Sequence, residues 1–147
     1  MVGMQPSPTP RLSVAPMIDW TDTHCRTFHR ICAPSALLYT EMIHANAILK
    51  GDRAKLLEKC ITQHPVAVQL GGAEASALAG AASICADAGF DEINLNCGCP
   101  SDRVQAGRFA ACLMHEPNHV ADLVSSMRQA VPASIPLQCT TRSPGAS

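Results

Sequence analysis

The sequence predicts an α/β protein in which helices cover a parallel sheet. Short, nearly continuous apolar segments alternate with helical patterns along the chain, and this alternation is typical of repeated βα units. Hydrophobic residues make up 47% of the 147 residues but aromatic residues only 3%, so the core has to be built from Ala, Val, Ile and Leu. The pattern fits either an open doubly wound sheet or a (β/α) barrel.

The first βα unit begins near Arg11. It follows a proline-rich stretch at residues 1–10 that we expect to be a disordered leader. The segment RLSVAPM is a short strand pattern ended by Pro16. In the segment TDTHCRTFHRIC, either Thr21 or Asp22 is able to cap a helix. The apolar side of this helix is predicted to contain Cys25, Phe28 and Cys32.

Four further strands are predicted, with helices between them. The strand patterns are ALLYTEM, PVAVQL, EINLNC and IPLQCTT. The helical patterns are a broken helix in ANAILKGDRAKLLEKCI, a helix in EASALAGAASICADAG that Gly89 closes, and a helix in HVADLVSSMRQAV. The sequence therefore predicts about five strands in total.

Charge and composition indicate the cellular environment of the protein but say little about its function. A formal net charge of -1 and an isoelectric point near 6.6 give no basic footprint for nucleic acid, although an average conceals local patches. The N-terminal segment MVGMQPSPTPR lacks the pattern of a signal peptide, so the eight cysteines are interpreted as thiols of a reducing compartment. Because Asp87 interrupts the longest apolar stretch, we expect a cytoplasmic protein without a membrane span.

Residues that could bind a ligand or take part in catalysis follow the predicted strands. Ligands of parallel α/β folds bind at the carboxyl ends of the strands, and these ends read APMID, TEM, QLGG, NCGCPSDR and TTR. No G-x-G-x-x-G motif follows the first strand, which disfavours a dinucleotide-binding sheet. A barrel mouth is the simplest arrangement that makes these ends converge.

The cysteines raise the question of a metal site. Cys97 and Cys99 could form a redox or metal pair, but C-x-C lacks a second ligand pair, and Cys97 is predicted to pack in the core. Cys25, His29 and Cys32 share one helical face and could supply three ligands. A fourth ligand has no evident source and this face coincides with the apolar stripe, so no metal is expected.

Five segments together resemble the tRNA-dihydrouridine synthases, most closely the A-type bacterial subfamily, over about residues 11–142. They are SVAPMIDWTDTHCR, LLYTEM, HPVAVQLGG, DEINLNCGCPSDRVQAG and ACLM. The resemblance implies the N-terminal half of a (β/α)8 TIM barrel over residues 11–147. Such a barrel usually needs about 250 residues, so we expect the other barrel half and the family's helical tRNA-binding domain to be absent. An open half-barrel is expected to expose strand edges and an apolar interior.

The resemblance also implies a reaction. Members of the family use FMN, reduced by NADPH, to convert uridine to 5,6-dihydrouridine in the D-loop of tRNA. The cysteine of the G-C-P motif, here Cys99, corresponds to the general acid. An ordinary thiol keeps its proton near neutral pH, which suits this role. Without the motif, Cys99 would be interpreted as a small buried hydrophobic residue.

The resemblance assigns further residues around the flavin and the substrate. Pro16, Met17 and Ile18 match the segment whose backbone lies against the flavin. Gln69 matches an amide that hydrogen-bonds the isoalloxazine edge, and Asn96 matches an asparagine near the flavin and the uracil. Away from such a motif, Met17 would be core filling and Gln69 an exposed strand end.

Four other matches are less direct. Arg103 lies in the loop after the G-C-P motif, where it either meets a tRNA phosphate or is a solvated loop charge. Glu41 matches a family position, with a role that is either ordering of the site or capping of a strand. Thr140 stands where the family has a lysine that reaches the flavin, so a positive charge is lost. Ala110 replaces a glycine and is expected to crowd its loop.

Two alternatives to the tRNA enzyme are left open. One is an inactive half-barrel that binds a partner, such as another half-barrel, through its exposed strand edges. The other is an FMN barrel oxidoreductase acting on a small molecule, which would share the fold but lack the S-D-R-V-Q loop.

Overall fold

Five parallel strands form one sheet in the computed structural model, which describes residues 12–99 and 109–141. The strands are β1 Ser13–Val14, β2 Leu37–His44, β3 Val66–Gly71, β4 Glu92–Cys97 and β5 Leu137–Thr141. Each strand pairs with the strand that follows it in the chain. A doubly wound sheet reverses its strand order at a switch point, whereas this order is that of a barrel wall. The predicted half-barrel is therefore confirmed.

Helices connect the strands and pack on one another. They are α1 Thr23–Cys32, α2 Ala45–Lys50, α3 Arg53–Leu56, α4 Ala75–Asp87 and α5 Pro117–Ala130, with short 3-10 helices at Ile61–Gln63 and Ala110–His115. Helix α4 contacts both α2 and α5. Among the residues that the structure describes, no helix combines the length and the apolar character that a membrane span needs.

The hydrophobic core lies between the sheet and these helices. One face of β3 and β4 meets α4 and α5, and the residues at this contact are buried: Val66, Val68, Leu70, Leu78, Ala81, Cys85, Ile93, Leu95, Cys97, Leu123 and Met127. Burying a Val, Leu, Ile or Met side chain contributes about 1.5–3 kcal/mol. Cys97 belongs to this core, so the prediction that it packs there is confirmed.

The opposite face of the sheet is polar, contrary to the expectation of an apolar interior. In β4, Glu92, Asn94 and Asn96 alternate with the apolar residues of the core. Strand register pairs Asn94 with Gln69 on one side. Successive side chains of a strand point to opposite faces, so the inner wall of the half-barrel carries amides and a carboxyl group.

The predicted apolar side of α1 is wrong. Phe28 is 65% exposed and Cys32 is exposed, whereas Arg26 is only 4% exposed. Arg26 is accommodated because carbonyl and amide oxygens accept its hydrogen bonds. The helix nevertheless begins as expected, since the Asp22 carboxylate accepts a hydrogen bond from the amide of Cys25 at 2.8 Å.

Gly89 ends α4 as predicted, with a left-handed φ of +79°. A Cβ added at this position would meet nothing within 4 Å, so only backbone strain opposes a substitution there. We expect Gly89→Ala to lower the free energy of unfolding by about 1–2 kcal/mol. Urea unfolding followed by circular dichroism measures this.

The matched control is Gly80→Ala inside α4, where alanine favours the helix by about 0.5–1 kcal/mol. Its Cβ would lie 3.2 Å from Leu49 Cδ2, at the flexible end of a side chain. Equal effects of the two substitutions would contradict the assignment of the Gly89 cost to its left-handed backbone.

Candidate active site

The carboxyl ends of β1, β3, β4 and β5 surround a cleft of about 470 Å³. Six predicted site residues line this cleft, namely Pro16, Ile18, Gln69, Asn96, Cys99 and Thr140, together with Ala15, Met42, Gly98 and Thr141. Active sites of TIM barrels lie at this face. The fold thus brings together residues from near both ends of the chain, from Pro16 to Thr140.

A chain of hydrogen bonds joins three strands below the cleft. The Asn96 amide donates to Gln69 Oε1 at 2.8 Å, and the Gln69 amide donates to Asn94 Oδ1 at 2.9 Å. The Thr140 hydroxyl donates to the same Asn94 oxygen at 2.9 Å. Gln69 is 1% exposed, so its alternative interpretation as an exposed strand end is wrong.

Asn96 also fixes the backbone that carries Cys99. Its Oδ1 accepts hydrogen bonds from the amides of Gly98 at 3.0 Å and Cys99 at 2.9 Å. Asparagine side chains stabilise turns in this way. Half-buried Cys99 packs against the cluster formed by Phe109 and Ala110. The position of the cysteine is therefore linked through Asn96 to Gln69.

Sequence reasoning missed Asn94 and Thr40. Asn94 is 1% exposed and connects β3 to β5. The Thr40 hydroxyl accepts a hydrogen bond from the backbone N–H of Gln69 at 3.1 Å. The available signal was the strict polar and apolar alternation in EINLNC, which indicates a strand with one polar face. No comparable signal identified Thr40, since it depends on an irregular register of β2 between Tyr39 and Met42.

A second polar group lies deeper on the same inner face. Tyr39 donates a hydrogen bond to Glu92 Oε1 at 2.6 Å, and the Gln138 amide donates to Glu92 Oε2 at 3.2 Å. Burial raises the pKa of Glu92, and the hydrogen bond from Tyr39 opposes part of this rise. Burial and the contact with Glu92 both raise the pKa of Tyr39.

Comparison with known proteins decides the family. The family model described as "Dihydrouridine synthase (Dus)" matches residues 13–143, which is most of the chain. The chain belongs to the dihydrouridine synthase family. The match covers all five strands and the whole candidate site.

Curated relatives in this family carry the name tRNA-dihydrouridine(20/20a) synthase. The protein of Xanthomonas axonopodis pv. citri (strain 306) is 63% identical over 129 residues, which cover 88% of this chain and 39% of the relative. The proteins of Vibrio vulnificus (strain CMCP6) and Yersinia pestis are each 55% identical over 90% and 92% of this chain, covering 40% and 38% of their own lengths. The chain thus spans about two fifths of these dihydrouridine synthases.

Met17 is assigned to the flavin by the family resemblance, but it does not line the cleft. Met17 is 42% exposed and its side chain is not part of the cleft wall, so its alternative interpretation as core filling is wrong. Arg103 lies outside the described residues. The flavin and substrate roles of all these residues remain predictions.

Ala110, which replaces a family glycine, has a left-handed φ of +49° and is fully buried. Glycine adopts this conformation without strain, whereas alanine adopts it at a cost of about 1–2 kcal/mol. The glycine that the resemblance implies at this position would therefore avoid a conformational cost, which is distinct from the expected crowding.

The thiols of the described residues form no disulfide and no metal cluster. All eight cysteines lie in the described ranges and none is part of a disulfide. Cys25 Sγ lies 3.4 Å from His29 Nδ1, whereas Cys32 is exposed. Within residues 12–99 and 109–141, no three His, Cys, Asp or Glu residues are grouped so that they could hold a metal ion.

The raised pKa of Glu92 predicts a pH-dependent stability. Such a carboxyl group stabilises the fold fully below its unfolded pKa, and the contribution is lost as the pH rises through the folded pKa. We expect wild type to lose stability relative to Glu92→Gln as the pH rises above the ordinary glutamate pKa of about 4.3. Urea unfolding at several pH values measures this difference.

Tyr39→Phe is the matched variant, because it removes the hydrogen bond that lowers the pKa of Glu92. The loss of stability with rising pH should then extend to higher pH. A difference between wild type and Glu92→Gln that stays constant over this range would contradict the assigned burial of the carboxyl group.

Proposed function

We propose that this chain forms the catalytic, FMN-binding part of an enzyme that reduces uridine to 5,6-dihydrouridine in the D-loop of tRNA, with NADPH as reductant. The main support is the hydrogen-bonded group of Gln69, Asn96 and Cys99 in one cleft. The names of the relatives favour positions 20 and 20a as targets. Since the chain spans two fifths of these relatives, the proposed activity is that of a whole family member.

The residues of the cleft fit the ring system of FMN. The edge of an isoalloxazine presents both hydrogen-bond donors and acceptors. The buried Gln69 amide carries both kinds of group, and Asn96 Nδ2 has a second N–H beyond the one given to Gln69. The backbone at Pro16 and Ile18 forms one wall, and Thr140 closes another side. TIM barrels frequently bind phosphate after the seventh and eighth strands, so we assign none of the five described strands to the FMN phosphate.

Each residue has a distinct part in the proposed reaction. Bound FMN, reduced by NADPH, would supply hydride to one carbon of the uracil double bond. The Asn96 amide holds the imide edge of the base, while the Cys99 thiol donates a proton to the neighbouring carbon. One hydride and one proton together saturate the double bond, and the resulting thiolate recovers its proton from solvent.

Arg103 is proposed to bind a phosphate of the tRNA, since a guanidinium matches phosphate oxygens through two parallel hydrogen bonds. It follows the Cys99 motif by only four residues in the sequence. A cytoplasmic location is proposed on two grounds: tRNA is the proposed substrate, and none of the eight cysteines is part of a disulfide.

Self-association is a second candidate property. The last described strand, β5, has four exposed residues and pairs only with β4 among the described residues. Unpaired strand edges pair readily with other chains. A second half-barrel that covers this edge would also enclose the polar inner wall.

Cofactor binding is tested with the chain itself. The purified chain is mixed with FMN, passed through gel filtration and examined for flavin absorbance in the protein fraction. Co-elution of flavin is the expected result, and the elution volume reports any dimer. Absence of flavin from a folded chain would contradict an FMN site built by these strands.

Cys99→Ala tests the proton donor. The variant is made in this chain fused to the remaining part of the Xanthomonas axonopodis relative, and dihydrouridine formation in tRNA is measured. Loss of a general acid should slow the reduction about 10²–10⁴-fold without loss of bound FMN. Cys112→Ala, at a half-buried thiol outside the cleft wall, is the control. An unchanged rate would show that Cys99 is not the general acid. If the enzyme reduces small enones and does not reduce tRNA, the small-molecule alternative is favoured.

Thr140→Lys restores the charge found in the family. A cation beside the reduced flavin should tighten FMN binding about tenfold. The control Cys139→Lys adds the same charge one residue away, on the opposite face of β5, because register pairs Cys139 with the core residue Leu95. Equal FMN affinity in wild type and Thr140→Lys would show that the threonine does not weaken the site.

A further inference from the structure

We propose that Arg26 is a positioning residue that fixes the Pro16–Ile18 wall of the cleft through Thr21. The inference rests on the proposed function in one respect, namely that the group in contact with this wall is the flavin. The hydrogen bonds that carry it are independent of any ligand.

Thr21 stabilises the turn that follows Ile18 by hydrogen bonds to Met17. Its hydroxyl accepts a hydrogen bond from the Met17 amide at 3.0 Å and donates to the Met17 carbonyl at 3.1 Å. The Thr21 amide donates to the same carbonyl at 2.9 Å. Thr21 is fully buried, so the backbone of Met17 is held at both its amide and its carbonyl.

Arg26 holds Thr21 in turn. Its Nη1 donates to the Thr21 carbonyl at 2.7 Å, its Nη2 donates to the Glu58 carbonyl at 2.7 Å, and its Nε donates to Gln63 Oε1 at 3.2 Å. One planar guanidinium therefore ties the start of α1 to the segment after α3. A lysine ammonium lacks this planar fork of donors.

Gln63 provides a rigid base for the guanidinium. It is fully buried, and its amide nitrogen contacts the Thr23 carbonyl at 2.7 Å and the Thr27 hydroxyl at 2.8 Å. Its side-chain oxygen accepts the hydrogen bond from Arg26 Nε. The guanidinium is thus directed by groups whose own positions are fixed.

The buried charge is costly, which argues that it is retained for a purpose. Within the described residues, no carboxylate lies in ion-pair distance of Arg26. Burial lowers the pKa of Arg26, and the more distant carboxylates of Asp22 and Glu41 oppose this shift. An apolar residue of similar size would avoid the desolvation of a charge, but it could not hold the Thr21 carbonyl.

A second anchor holds the same turn from the other side. Asp19 has a left-handed φ of +66°, which is uncommon for a residue other than glycine. Its amide donates a hydrogen bond to the carboxylate of Glu41, which lies within β2. Glu41 thus orders the turn, and the Pro16–Ile18 wall is followed by backbone fixed at two points.

Hydrogen exchange of the full chain tests the proposal without any ligand. We expect the amides of Met17 and Thr21 to exchange about tenfold faster or more in Arg26→Lys and Arg26→Gln, the effect of losing one hydrogen bond to a charged group. Amides of α4 should keep their wild-type rates, which a general loss of stability would not allow. Thr21→Val, which removes the hydroxyl but keeps the shape, should expose the Met17 amide alone.

Arg30→Gln is the matched control. Arg30 lies one turn further along α1 and donates to the carbonyls of Gln63 and Pro65, away from the turn. It should leave the Met17 and Thr21 rates unchanged. Wild-type rates for Met17 and Thr21 in folded Arg26→Lys and Thr21→Val would overturn the proposal.

Titration with FMN separates this inference from the proposed function. Wild type and Arg30→Gln should bind FMN equally, and Arg26→Lys about tenfold more weakly. If wild type fails to bind FMN, the proposed function fails for this chain, while the exchange rates still decide whether Arg26 positions the turn.

Discussion

The inner wall of the half-barrel depends on the two-sided hydrogen bonding of Gln69. Its oxygen accepts from Asn96 and its amide donates to Asn94, so one buried side chain connects the cysteine loop to the last described strand. In a low-dielectric environment such a network is stable only if its members are satisfied. Among the described residues, no buried side-chain nitrogen or oxygen lacks a hydrogen-bond partner. The cleft geometry follows from this closed network.

The fold could be predicted because its signals are local and repeated. Apolar segments of strand length, separated by helical patterns, specify consecutive parallel strands, and Gly89 and Asp22 end and begin helices through their own chemistry. The site could be predicted only in part. The resemblance identified Gln69, Asn96 and Cys99, but Asn94 became evident only through strand register.

Arg26 illustrates what periodicity cannot detect. Apolar spacing in α1 favoured Phe28 as the buried residue, since the pattern counts hydrophobic side chains and ignores carbonyl acceptors elsewhere in the chain. The acceptors belong to Thr21, Glu58 and Gln63, which lie on three different segments. Their convergence on one guanidinium is a property of the tertiary structure.

The polar inner wall has a consequence for how such a barrel is built. Interiors of TIM barrels are typically filled by layers of branched apolar side chains, whose exposure to water before the barrel closes favours aggregation. Here Tyr39, Glu92, Asn94 and Gln138 line the corresponding surface. Water can hydrate these groups while the wall is open, so the concave side of a half-barrel of this kind has little drive to aggregate.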